Sequence, residues 1–173
     1  MLAVDLLYEF EFGVWKALFS HLIQILYAAG RGSDHLVIEL DRQYCQISRF
    51  GNGTIRKFST NSSEMKWLAA WDYEDLLQCA ILVFEGLLDE PYNRRLMKLL
   101  YCTAEWHALA KLWIHTDASL DLLEKLTTEF GQLMRQFRDV TCMAFVTTEL
   151  PKEMTACIRH MLQQQSTSVS STN

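Results

Sequence analysis

The chain has 173 residues, half of them hydrophobic, and a formal net charge of −5. Such a length and apolar content sustain one domain with a real core and exclude a chain disordered by composition. The acidic balance excludes non-specific DNA binding by the whole surface, so any nucleic-acid contact rests on a local basic patch. Two prolines and seven glycines leave long uninterrupted segments, which favours helices. The five cysteines, Cys45, Cys79, Cys102, Cys142 and Cys157, are odd in number and form no C-x-x-C pair, as expected of reduced thiols in an intracellular protein. Asp5, Glu9 and Glu11 stand where a secretory signal would carry basic residues. Lys16, Ser20, His21 and Gln24 interrupt the apolar run from Val14 to Ala29, which argues against a membrane span.

In chain order, residues 2–29 read as one helix or two joined near Gly13, with Lys16, Ser20 and Gln24 as a narrow polar stripe on an apolar cylinder. Such a cylinder needs burial on most sides, and its face is expected to stay partly exposed here. Gly30–Ser33 is a break, with Ser33 or Asp34 capping a short helix over His35–Ile47 that turns Leu36, Val37, Leu40, Tyr44 and Ile47 inward. Gly51, Asn52 and Gly53 signal a turn, after which Thr54–Phe58 is a candidate extended stretch. Arg49, Arg56 and Lys57 flank these glycines without P-loop spacing and read as a solvated loop. Asn61 and Glu64 have capping-box spacing for a helix from Ser62 to about Leu88, with Met65, Leu68, Ala69, Asp72, Leu76, Cys79, Ala80 and Val83 inward. Pro91 ends it and starts the next.

Leu96–Asp117 is the longest well-patterned segment: Leu96, Leu100, Thr103, His107, Ala110 and Ile114 share one helical face. This helix is expected at the centre of the fold. Thr116 or Asp117 caps a following helix striped by Leu123, Leu126, Phe130, Leu133 and Phe137, and the two are expected to form an antiparallel hairpin. Thr141–Thr148 reads as a connection and Pro151 as the start of a last helix. The expected fold class is all-α: an irregular bundle of about five to seven helices around a central antiparallel hairpin, in one domain over 1–165 with a disordered tail at 166–173.

The wording of several blocks is distinctive. Glu105-Trp106-His107-Ala108-Leu109-Ala110-Lys111-Leu112 followed by His115-Thr116-Asp117 resembles the AEWHALAKL…HTD segment of Plavaka-type transposases of basidiomycete fungi, cut-and-paste elements related to the CACTA group. Asp5–Lys16 is similar to that family's DLMHEFELGVWK stretch and Arg49–Ser59 to its FGxGTIRxFS stretch. Asp75–Ala80, Phe84–Leu88 and Glu149–Glu153 fit as well, so the resemblance runs in the family's order over roughly residues 2–160.

The resemblance implies an RNase H-like catalytic core using carboxylates to hold Mg or Mn, with a helical insertion between the second catalytic Asp and the last catalytic acid. Asp5 falls on the D-x-x-H motif near that second Asp, with Tyr8 in the place of the His. The chain is therefore expected to be the helical insertion region, a fragment without strand-transfer activity of its own. In its parent protein it would position transposon DNA or a partner subunit beside the metal site, which implies a nuclear location. The isolated chain is expected to need no cofactor.

Asp5 is the candidate catalytic residue, as a metal-site acid that the resemblance implies; read from its surroundings alone it is an ordinary acid near a helix start. Arg94, Arg95 and Lys98 cluster at the start of one hairpin helix and Arg135 and Arg138 at the end of the other, a patch suited to DNA phosphates or to a solvated face with local ion pairs. Trp106, His107 and Trp113 read as structural residues. His107 and His115 stand two helical turns apart, about 12 Å at the helical rise, too far for one zinc ion, and no metal site is expected. The rival expectation is a helical interaction or oligomerisation module with no DNA binding, driven by the apolar face of residues 2–29.

Overall fold

The computed structural model describes residues 5–51, 55, 57, 58, 61–65 and 70–149. The expectations for residues 2–4, Asn52, Gly53, Thr54, Arg56, Leu68, Ala69 and Cys157, for the helix opened by Pro151 and for the tail at 166–173 lie outside those residues. The architecture is all-α. A π-helical segment, Leu7–Trp15, runs directly into α1, Lys16–Ala29. Then come α2, His35–Gln46, a single 3₁₀ turn at Ser62–Glu64, α3, Ala70–Phe84, and α4, Tyr92–Ala110. The last, α5, Asp117–Gln136, passes into a second π-helical segment, Phe137–Cys142. The described residues form no strand, and Phe50 and Ile55 make an isolated antiparallel bridge beside the glycine turn.

The core is organised around α1. Leu18, Phe19, Leu22, Ile23, Ile25 and Leu26 are buried and form one broad face of the helix. The Phe19 ring meets Trp15 at 5.6 Å, Phe84 of α3 at 6.0 Å and Tyr44 of α2 at 6.2 Å. Tyr44 is fully buried, and its hydroxyl donates to the Leu76 carbonyl of α3 at 3.0 Å, giving the phenol the partner that burial demands. The large apolar side chains that the N-terminal cylinder exposes are Tyr8, Phe12 and Val14, all in the π-helical segment. Leu7–Ala29 is long and apolar enough to cross a membrane by length and composition alone. The core helix of a soluble protein meets the same criteria, and α1 packs one face into the core.

The π-helical segment contains Gly13, where a β-carbon would stand 3.1 Å from the Tyr8 carbonyl oxygen five residues earlier. A residue without a side chain suits that close approach. At the end of α1, Arg31 and Gly32 take positive φ, 55° and 82°, and turn the chain toward α2.

Three element boundaries differ from the sequence expectation. Instead of reaching Leu88, α3 stops at Phe84, because Gly86 adopts φ 79° and donates its N–H to Asn93 Oδ1 at 3.0 Å. The Asn61 side chain makes no cap bond, and the turn it precedes ends at Met65 with φ 48°. Finally, α4 ends at Ala110, so Ile114 is 76% exposed instead of sharing the buried face of Leu96, Leu100, Thr103 and His107. Thr116 caps α5 through a reciprocal box with Ser119: Thr116 Oγ1 accepts from the Ser119 N–H at 3.2 Å, and Ser119 Oγ accepts from the Thr116 N–H at 2.9 Å.

Only Leu126 is fully buried along α5, with Phe130 and Leu133 half-buried, so this helix lies on the outside of the bundle. Trp106 of α4 joins it: its ring stacks on Phe130 at 6.2 Å, and its Nε1–H donates to Thr127 Oγ1 at 2.8 Å. The outer helix α5 therefore flanks the core, to which α4 contributes Leu96, Leu99 and Leu100 beside the residues of α1.

Candidate functional site

Arg94, Arg95 and Lys98, all exposed, occupy the first two turns of α4. Together with Pro91 and with Leu133, Gln136 and Phe137 from the end of α5, they line one groove. The Arg94 guanidinium approaches Glu90 only at 4.0 Å, with its side chain 77% exposed, a contact that solvent largely screens. Arg138 is engaged more fully. Its Nε and Nη2 donate to the two Asp139 oxygens at 2.7 and 3.2 Å. That hydrogen bonding raises the Arg138 pKa and lowers that of Asp139, so the positive charge is locally compensated. Arg135 lies against Gly131, where a β-carbon would be 3.4 Å from its Nη1. The structure thus brings Arg94, Arg95 and Lys98 together with the end of α5, while Arg135 and Arg138 are exposed beside the groove lining. Farther along α5, Asp121, Glu124 and Glu129 border a broad hollow with Lys125. Between the two, another hollow sets Arg94 and Lys98 beside Glu105 and Glu129, so the basic end grades into acidic surface along α4 and α5.

Asp5 is exposed, and its Oδ1 accepts the backbone N–H groups of Leu7 and Tyr8 at 3.1 and 3.3 Å. This is the geometry of a helix-capping carboxylate. A two-metal site needs several oxygens converging on its ions. Among the described residues the group of ligand atoms gathered closely enough for a metal is Glu11, Glu74 and His107, and Asp5 is not part of it. The surroundings of Asp5 therefore do not fit the Mg or Mn centre that the family resemblance implies.

The buried polar cluster lies elsewhere, where the π-helical segment, α3 and the end of α4 meet. His107 Nε2 is 2.8 Å from Glu11 Oε1, with the two side chains 4% and 2% exposed. Lys111, one turn beyond His107, places Nζ 2.6 Å from Glu74 Oε1 and 3.7 Å from Glu11 Oε1. Glu11 Oε2 is buried and has no hydrogen-bond partner. The Phe10 ring lies over this cluster, 5.3 Å from the His107 ring and 4.7 Å from that of Trp106.

Sequence reasoning placed His107 among the structural residues but missed Glu11 and Glu74. The available signal was the pair His107 and Lys111 four apart on one helix face. Their partner Glu11 is 96 positions away, beyond the reach of any periodicity. His115 sits apart from this cluster, with Nδ1 3.3 Å from Ser119 Oγ. Trp113, read as a packing residue, is 97% exposed, because it follows the end of α4. Comparison with protein-family models, with curated proteins and with solved structures gives no match for this chain.

Proposed function

We propose that the chain is the helical insertion region of a Plavaka-type DNA transposase, positioning transposon DNA or a partner subunit beside an RNase H-like core that uses Mg or Mn. The observation that carries a DNA role is the groove of Arg94, Arg95 and Lys98 at the start of α4, three exposed cations beside the end of α5. Phosphate contacts of this kind position a duplex without reading its sequence. The acidic hollow along α5 would repel the backbone and confine contact to the basic end. The sequence resemblance supports the family reading, and two stretches that carry it pack together, Phe10 and Glu11 against Trp106 and His107. No strand-transfer chemistry is assigned to these residues, since Asp5 serves as a helix cap.

A gel-shift titration against duplex DNA at low and raised salt tests the role. Binding should weaken steeply with salt. The combined Arg94→Ala, Arg95→Ala and Lys98→Ala variant should lose about one unit of salt slope per cation engaged. Arg138→Ala should change little, because Asp139 already occupies that guanidinium. No shift even at low salt would overturn the DNA role.

A second reading, an oligomerisation module without DNA binding, is favoured by a different surface. Leu112, Trp113 and Ile114 are 45%, 97% and 76% exposed in the connection between α4 and α5, a contiguous apolar stretch of the kind that marks association sites. Concentration-dependent association in sedimentation, abolished by Trp113→Ser and unaccompanied by a DNA shift, would establish it.

A further inference from the structure

We propose that Glu11, Glu74 and His107 form a site for a first-row divalent cation, best matched by Zn2+, and that the Lys111 ammonium occupies the cation's place when the metal is absent. This inference is independent of the DNA role: it concerns a different end of α4.

The donor set is one imidazole nitrogen and two carboxylate oxygens, from three elements and all within 4.8 Å of one another. In a tetrahedral site with bonds of about 2.1 Å two ligands stand roughly 3.4 Å apart, so side-chain adjustment of at most about 1.4 Å at the widest pair closes the set. A glutamate oxygen buried without a hydrogen bond is costly, and Glu11 Oε2 is such an atom, beside the ligand oxygen Oε1. Bidentate coordination by Glu11 would give it a partner. Glu11 also lies in the π-helical segment, and wide helical turns of this kind recur at functional sites.

Charge explains the part played by Lys111. The two carboxylates carry two negative charges, and one ammonium, 2.6 and 3.7 Å from their oxygens, offsets only one. A dication offsets both. The Lys111 side chain is 40% exposed at the C-terminal end of α4, so it can leave for solvent without disturbing the buried members. The imidazole separates this site from an all-oxygen magnesium site, and mixed nitrogen and oxygen ligation favours zinc over manganese. Three protein ligands leave a coordination position for water.

The test titrates Zn2+ into the metal-stripped chain by calorimetry, with Co2+ as a spectroscopic probe. One equivalent should bind, and the cobalt spectrum should lack a thiolate charge-transfer band, which separates this site from the His21–Cys142 contact. Lys111→Met should tighten binding at least tenfold, because it removes the competing cation. Glu74→Gln, at a half-buried position that folding tolerates, should weaken binding at least tenfold. Unchanged affinity in Lys111→Met, a thiolate band, or no binding by a folded chain would overturn the proposal and leave the cluster as an ion-pair network.

Discussion

His107 separates what a buried polar residue contributes from what it costs to disturb. Its ring and the Glu11 carboxylate are almost completely removed from water and face each other at 2.8 Å. Replacing His107 by alanine leaves a carboxylate in the core with one oxygen already lacking a partner and the other stripped of its main one. Removing one member of such a pair costs about 3–5 kcal/mol. His107→Ala should therefore lower the unfolding free energy by that amount, read as a fall in the urea midpoint at constant denaturant slope. Lys111 touches the same carboxylate from the half-exposed side at 3.7 Å. Lys111→Ala should cost about 1 kcal/mol or less, as for exposed pairs. Equal losses in the two variants would mean that the ammonium holds Glu11 as strongly as the imidazole does.

At the scale of elements, two capping patterns that look alike in the sequence behave differently. Thr116 and Ser119 exchange reciprocal bonds at the start of α5, whereas Asn61 makes no side-chain cap bond before the Ser62–Glu64 turn. Thr116→Ala should thus destabilise the chain by about 1 kcal/mol, while Asn61→Ala should change stability by only a few tenths; thermal melts of the two variants decide. The difference shows what was legible in the sequence. Local patterns gave the existence and order of the helices, the inward set of α2 and a cap at Thr116 or Asp117, of which the structure uses Thr116, since each is written within a few residues. They did not give where a hydrogen-bond ladder stops. The apolar period of α4 continues through Ile114, but after the last ladder bond, Lys111 N–H to His107, the Leu112 N–H bonds only three residues back, to the Leu109 carbonyl, and the helix ends. Gly86 ends α3 in the same way, four residues before the expected place. The Glu11–His107 contact, which joins residues 96 positions apart, had no local signature at all.

For the whole molecule, the cysteines report whether the bundle unfolds as one unit. Cys79 of α3 belongs to the main core, while Cys102 of α4 feels Glu105 and Glu129 and so reports on the packing of α4 and α5. Burial raises both thiols to about 11, with Asp75 adding to the effect at Cys79. Only roughly one thousandth of either would be thiolate at pH 8, the form that reacts. Cys45 and Cys142 are half-buried and should be alkylated first by iodoacetamide in the folded chain. The sign of the pH effect follows from the raised values. Both states hold these protons below the ordinary thiol pKa of 9.0, so the stability tied to them is complete there. It is lost as pH rises from 9.0 toward about 11, where the unfolded chain ionises and the folded chain resists. Alkylation mapped by mass spectrometry across a urea series should show Cys79 and Cys102 becoming reactive together, at the midpoint of global unfolding. Release of Cys102 at lower urea would mean that α5, which buries only Leu126 fully, detaches before the core around α1 opens. The basic groove would then be the less stable part of the fold, because its lining is shared between α4 and α5.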